Sequence, residues 1–377
     1  MTVFAVFATV LSALVQSPSN AAEGDTVVVT GRSMDSTRRA LAECLRRGCP
    51  PAEDIELSAA HAETAFVAGE YREERSTLLS SLGRNRRHAR TLPVEVSELE
   101  RANGLVSAHL GEQRSYEFSI WGIRRALKAG LPEDDVRLLQ SELEIADMLL
   151  STGKAGQAGD TYENVARQAQ KRGDVALEGR ARVRRAWLSH PLGEEDQARR
   201  RPAPIAANKE PGAAPARLAA LSVLARMERA GNETAVDALV AAVSQANTSR
   251  PVLLWTPQIG GVLKSGKTRG FVSGIDLLAN DRYEGRWIDL GFAVDLDGRV
   301  RDVEVLRSRG ATDWADGLLK SVGGRRYSAT KDGGYRVERY SYTSFHREST
   351  GTRIRQRTGE ARIEFLDLTA PPATPAQ

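Results

Sequence analysis

The stretch AETAFVAGEYREERSTLLSSL, residues 62–82, recurs in outline as GLVSAHLGEQRSYEFSIWGI (104–123) and as EIADMLLSTGKAGQAGDTYENVA (144–166). In each, an apolar segment with helical spacing runs into a glycine and a second helical segment follows. Gly69, Gly111 and Gly153 stand 42 residues apart. Apolar residues return 9 and 12 positions after the glycine: Leu78, then Ile120 and Ile123, then Tyr162 and Val165. Weaker copies surround Gly193 and Gly231, the latter with Val240 and Val243. A fixed period of this length predicts helical hairpins that cannot bury their apolar faces alone. They stack into a curved solenoid with a concave surface; the alternative is an irregular helical bundle. The segment RRRPAPIAANKEPGAAPA, Arg199 to Ala216, interrupts the fourth copy. Its prolines and small residues predict a solvated loop.

The chain of 377 residues is long for one core, and two or three units are expected. Its composition is 41% hydrophobic and 27% charged, with a net charge of +4. That is ordinary for a globular protein and does not demand a nucleic-acid partner. The first residues, MTVFAVFATVLSALVQSPSNAAEGD, carry an apolar core from Val3 to Val15 and small residues at Ala21 and Ala22. This is the anatomy of a secretory leader over 1–22, although no Lys or Arg precedes the core. An uncleaved inner-membrane anchor is the other reading. Cys44 and Cys49 are the only cysteines. Gly48 can end a helix in a left-handed cap, and Pro50 and Pro51 prevent its continuation. A disulfide clamping that corner suits an oxidising compartment, with two unpaired thiols as the plain alternative. No second pair of ligands lies nearby, so no metal is expected.

From Arg286 the period changes. In WIDLGFAVD (287–295), Ile288, Leu290, Phe292 and Val294 fall on one face of a strand. Asp297-Gly298 marks a hairpin turn, and Val300 to Leu306 returns. TDWADGLLKSVGG (312–324) reads as a short helix, and RRYSA then leads to the long strand YRVERYSYTSF (335–345). A further hairpin, TRIRQR and ARIEFLDL around Thr358-Gly359, covers a sheet edge or provides a new one.

Two resemblances follow from these residues. The hairpins, with Gly153, Ala158 and Tyr162 of the third copy, resemble tetratricopeptide-like repeats, although their period is longer than that family's. The order strand, strand, helix, strand resembles the C-terminal domain of TonB, on Gly285, Asp297, Gly298, Ser308, Gly310 and Tyr327; Ala329 stands where that family has proline. No Pro-rich arm with alternating Lys and Glu is present, which separates the chain from a conventional energy-transducing TonB. The resemblance implies that the domain receives an extended peptide as an added strand, with main-chain hydrogen bonds for affinity and alternating side chains for specificity. It places the receiving edge on the family's last strand, at Tyr335, Val337, Arg339, Tyr340 and Tyr342, where ordinary sheet packing is the competing role. The isolated run Asp25, Thr26, Val27, Val28, Val29, Thr30 within GDTVVVTG is similar to the receptor peptide that such domains read. It pairs with such an edge or is merely a short tail.

The octet Gly261 to Thr268 (GVLKSGKT) fits the phosphate-loop pattern, with Asp295 as a possible magnesium-side carboxylate. The glycines and β-branched residues after Thr268 make a poor phosphate-binding helix. Too few residues remain for the usual parallel sheet, so a connector is the preferred reading. His61, His88, His109, His190 and His346 show no ligand spacing, and no nucleophile elbow or catalytic carboxylate pair is evident.

The expected fold is thus α+β and multidomain. After the leader comes an extended segment (23–34), then an all-α, tetratricopeptide-like helical-hairpin region (35–247) and a linker (248–284). A small TonB-like α+β domain of strand, strand, helix and strand with an extra C-terminal hairpin follows (285–368), and then a tail (369–377). The expected function is a periplasmic, non-enzymatic scaffold without cofactor. Its partners are proteins: TonB-system or outer-membrane receptor components, or a second copy. A phosphate-loop enzyme and a purely structural envelope protein are the alternatives.

Overall fold

The computed structural model describes residues 33–189, 194–210, 212–227, 236–237, 251–257, 285–331, 333–348, 355–357 and 362–369. The leader, Asp25–Thr30, the glycines Gly193 and Gly231 and the octet Gly261–Thr268 lie outside these residues. The protein is helix-rich, with a small antiparallel sheet region in its C-terminal part.

The chain opens with α1 (Met34–Arg47), whose start is fixed by the Ser33 hydroxyl accepting from the Ser36 N–H at 3.1 Å. Asp35 in its first turn and Arg46 and Arg47 in its last complement the helix dipole. Gly48 closes it in the left-handed region at φ 67°. Cys44 and Cys49 are joined by a disulfide across this corner, with Cα atoms 5.1 Å apart, within the range such a bridge spans. Glu53 lies within reach of both sulfurs, but a disulfide offers no thiolate to a metal.

Three helical hairpins follow. They are α2 (Pro51–Ala68) with α3 (Tyr71–Asn85), α4 (Pro93–His109) with α5 (Gln113–Gly130), and α6 (Val136–Ser151) with α7 (Ala155–Lys171). Gly69, Gly111 and Gly153 turn each hairpin with φ of 81°, 72° and 83°. A side chain strains that backbone, so glycine is required there. The repeat residues Leu78, Ile120, Ile123, Tyr162 and Val165 are all buried between neighbouring helices. α8 (Val175–Ser189) packs on α7 and continues the array.

The stretch expected to be a solvated loop, Arg199–Ala216, instead folds into α9 (Glu195–Arg200), α10 (Ala203–Ala207) and the start of α11 (Ala214–Met227). Proline is tolerated in the first turn of a helix, where Pro204 stands in α10. Ile205 and Ala206 anchor that turn on Val183 and Trp187. The expected linker is likewise structured at 251–257. There β1 (Leu253–Trp255) pairs with β4 (Arg326–Tyr327), and Leu254 is buried.

The main sheet has the order β3-β2-β5-β8, all antiparallel, from β2 (Arg286–Val294), β3 (Val300–Arg309), β5 (Gly334–Thr343) and β8 (Arg362–Asp367). Between β3 and β4 lies α12 (Asp316–Gly323). β6 (His346–Glu348) and β7 (Arg355–Arg357) form a separate two-stranded ribbon. Ile288, Leu290, Phe292 and Val294 share one face with Tyr340 and Tyr342 and pack on Trp314, Leu318 and Val322.

The opposite face carries Trp287, Asp289, Arg339, Ser341 and Thr343, and it is not in water. It lies on the turns of the helical hairpins. Gly69 faces Trp287 so closely that a Cβ there would sit 2.4 Å from the indole nitrogen. At Gly111 a Cβ would lie 2.0 Å from the Ser344 carbonyl oxygen. Two of the three repeat glycines are therefore docking points as well as turns.

This separates two kinds of glycine. Gly153 has the same left-handed backbone with open space around it, so Gly153→Ala should cost about 1 kcal/mol from backbone strain alone. Gly111→Ala adds an overlap with the sheet backbone and should cost about 2 kcal/mol more. Urea unfolding of the two variants measures the difference, and equal losses would contradict docking at Gly111.

Candidate functional site

Arg339 stands at the centre of the sheet and is fully buried. Its guanidinium donates to both carboxylate oxygens of Asp289, at 2.6 and 2.9 Å. It also donates to the carbonyl of Phe66 and, at 2.8 Å, to that of Val67. These carbonyls end α2, where that of Phe66 also accepts from the Gly69 N–H at 2.8 Å, and the cation meets the negative end of the helix dipole. The Trp287 ring closes the site, with its centroid 4.0 Å from the guanidinium carbon. Asp289 is equally buried and takes a second arginine, Arg307 of β3, at 2.6 Å.

The same device recurs along the array. Arg309 donates to the Gly69 carbonyl at 2.9 Å and pairs with Glu70. Arg362 donates to the Ser151 carbonyl, at the end of α6, at 3.0 Å and lies over the Phe345 ring. Between these points Ser341 meets the Tyr71 hydroxyl and His109 Nδ1, each at 2.8 Å.

Two titratable groups in this joint lack full partners. His109 Nε2 and Glu74 Oε2 are buried without a hydrogen bond. Burial, helped by the nearby Arg339 charge, lowers the His109 imidazole to about 4, and Glu364 works the other way. Burial raises the Glu74 carboxyl to about 9 against the pull of Arg339. Both groups are therefore neutral near pH 7.

The other face of the sheet carries a second buried network. Arg325 donates to Glu338 at 2.6 Å and to the Tyr340 hydroxyl at 2.6 Å. Burial opposes both charges, but the Arg325 and Arg336 cations outweigh it at Glu338 and hold that carboxyl below its usual range. Glu338 in turn holds Arg325 well above its usual value.

This arrangement corrects the expected receiving edge. β5 is an interior strand, paired with β2 on one side and with β8 on the other. The hairpin expected between TRIRQR and ARIEFLDL is not the pairing observed: β7 pairs with β6, and β8 pairs with β5, filling the place where a peptide was expected to add. Tyr340 and Tyr342 lie in the core, where Trp314 stacks on Tyr342 with centroids 5.2 Å apart. Arg339 belongs to the joint, Tyr335 donates to Glu304 at 3.1 Å, and the Val337 N–H donates to the Thr369 hydroxyl at 3.1 Å. Val337, Arg339, Tyr340 and Tyr342 are thus engaged within the fold, and β8 occupies the side of β5 opposite β2 over Glu338–Thr343.

The open strand is β3. Among the described residues it pairs only with β2, and most of its side chains are exposed, Val305 and Leu306 at 44% and 42%. Its pairing is interrupted by irregularities, and Asp302 takes φ 52°. Bulges of this kind and the charges Arg301, Asp302, Glu304 and Arg307 are features by which edges resist indiscriminate pairing.

No protein-family model and no curated protein matches the chain. Among solved structures, BtubC (BKLC) from P. vanneervenii is similar at 12% identity, covering 58% of this chain and 83% of that chain, with a TM-score of 0.39. A likeness at that level carries no argument about fold or activity. Among the described residues, no helix is long and apolar enough to cross a membrane.

Removing the Arg339 charge leaves Asp289 with one arginine and takes the cation from the carbonyls of Phe66 and Val67. Arg339→Met should cost about 3–5 kcal/mol. Urea unfolding should then show sheet and helices melting separately, and an unchanged single midpoint would contradict the central role of this residue. The two neutral groups have opposite pH signatures. A His109 value below that of the unfolded chain costs stability as pH falls from 6.5 towards 4. A raised Glu74 value costs stability as pH rises from 4.5 towards 9. Glu74→Gln should therefore flatten the loss of thermal midpoint between about pH 7 and 9, where His109 no longer contributes. A parent-like slope in that window would show that Glu74 is not buried as described.

Proposed function

We propose that the chain is a non-enzymatic scaffold of a Gram-negative envelope that captures an extended segment of another protein along β3. The observation that carries this is an exposed ten-residue strand that, among the described residues, is paired on one side only, at the edge of a sheet whose interior strands β2 and β5 are covered on both faces. A strand edge offers a row of main-chain donors and acceptors, and an incoming segment satisfies them without disturbing the core. The exposed Val305 and Leu306 and the mixed charges of β3 then select among segments.

In this reading the hairpin array is of tetratricopeptide-like type and the sheet unit of TonB C-terminal type, with the receiving edge moved from the last strand to β3. The protein works in the periplasm, where the Cys44–Cys49 disulfide persists. Its partners are TonB-system or outer-membrane receptor components, or the Asp25–Thr30 segment of another copy.

The test uses a labelled peptide, GDTVVVTG, added to the full chain. Binding should slow hydrogen exchange at the amides of 300–309 and leave those of 362–367 unchanged. Absence of binding, or protection confined to β8, would remove the proposal.

A further inference from the structure

The outer face of α5 carries a feature that strand capture does not use. Arg114, Phe118, Trp121, Arg125 and Lys128 follow one another at intervals of 4, 3, 4 and 3 residues, the spacing of a single helix face. The opposite face, with Ile120, Ile123, Ala126 and Leu127, is buried in the array. Phe118 is 56% exposed and Trp121 42%, the largest aromatic surfaces left in solvent among the described residues. The Arg114 guanidinium lies 5.5 Å from the Phe118 ring centroid. The Arg125 guanidinium donates to the Phe118 carbonyl at 3.5 Å.

A second set of cations flanks this face. The 3₁₀ turn Arg86–His88 ends where Gly130, the last residue of α5, packs on the carbonyls of Ala89 and Arg90. Gly122 packs on the Glu100 carboxylate, which Arg86 holds at 2.8 Å, so Arg86 stands beside the Trp121 turn. Arg86, Arg87 and Arg90 are exposed. Of the carboxylates on and beside α5, Glu100 is held by Arg86 and Glu117 by Gln113 and Lys154, while the exposed Glu133 and Asp134 follow its C-terminal end.

The repeat bounds the patch. Leu79 occupies in α3 the position of Trp121, and it is 39% exposed. In the third hairpin the positions of Phe118 and Trp121 are held by Asp160 and Glu163, which reverse the character of the surface. The first two hairpins thus present aromatic and aliphatic side chains among cations, and the third presents acids.

We infer that this face of α3 and α5 docks reversibly on an anionic phospholipid surface. Three features select a bilayer over other anions. The rings stand on the solvent face of one helix and not in the cleft of about 560 Å³ between α7, α8 and the α9–α11 segment. Tryptophan at a bilayer interface places its apolar body in the acyl boundary and its N–H among headgroups. Each surrounding Arg or Lys is attracted by the negative leaflet and adds to binding. Two rings and a handful of cations give weak, salt-sensitive adsorption rather than a permanent anchor. The acidic third hairpin is held off the surface. The inference is independent of strand capture at β3, and either can fail without the other.

The experiment is co-sedimentation of the full chain with large vesicles of phosphatidylcholine alone or with a substantial fraction of phosphatidylglycerol, at low and high salt. The apolar stretch Val3–Val15 is common to parent and variants, so differences between them report the patch. The parent should partition more strongly onto phosphatidylglycerol vesicles, and salt should weaken this. Arg125→Gln and Lys128→Gln should each lower partitioning about fivefold, and the pair Phe118→Ser with Trp121→Ser should lower it further. All four positions are exposed, and unchanged circular dichroism establishes folding. Brominated lipid should quench tryptophan emission in the parent and much less in Trp121→Phe. Equal partitioning of parent and variants would overturn the proposal, as would quenching that survives Trp121→Phe. So would a single-stranded oligonucleotide or polyglutamate that binds through these residues while vesicles do not.

Discussion

The buried guanidinium of Arg339 is the constraint around which the rest of the molecule is arranged. A buried cation is costly unless every donor is matched, and here the matches come from two parts of the chain far apart in sequence. Asp289 supplies charge from the neighbouring strand, while Phe66 and Val67 supply carbonyls from the end of a helix. Neither part satisfies the residue alone. The sheet without the helices would leave half of the guanidinium uncovered, and α2 without the sheet would lose the cation that covers its Val67 carbonyl.

The same logic explains why the glycines of the repeat matter twice. A helical hairpin turned by a left-handed glycine leaves its last carbonyls directed outward and its backbone free of side chains. At Gly69 and Gly111 that bare surface lets Trp287 and Ser344 approach within distances a Cβ would forbid. The sheet therefore runs along the row of turns, with Arg309 and Arg339 at the first hairpin and Arg362 at the third. Helix-end electrostatics, repeated at intervals set by the sequence period, align it.

Much of this was legible in the sequence. The 42-residue spacing located the hairpins and their turns, and the alternation of Ile288, Leu290, Phe292 and Val294 located one face of the sheet. What alternation concealed was the second face. Asp289 alternates with the apolar positions of its strand, where a charge usually means water, and Arg339 falls on the expected receiving edge. Their mutual pairing joins positions fifty residues apart, and their seat on α2 joins positions far more distant, which no local pattern reports. One signal was present: Trp287, Asp289 and Gly291 form an odd set for a wetted face, with a large aromatic at one end and no side chain at the other. The same limitation misplaced the receiving edge. A family's last strand is an edge only if nothing follows it, and the pairing of Arg362–Asp367 with β5 depends on register that short alternating segments do not specify.

These features together restrict where another protein can engage the sheet. Tyr340, Tyr342 and the Arg325–Glu338 pair fill one face, and the helix turns fill the other. A partner that inserted side chains from above or below would have to displace a buried ion pair, whose loss on removing one member is far more than a surface contact returns. An edge carries no such penalty, because its amides and carbonyls exchange water for a strand and the core stays intact. On this sheet β5 has lost that option over Glu338–Thr343 to β8, and the ladder continues past Asp367 as the Leu368 N–H donates to the Val337 carbonyl at 2.8 Å. β3 keeps it. Its irregular register and mixed charges narrow the set of segments that fit, which is the property a selective receiver needs and a bare edge lacks.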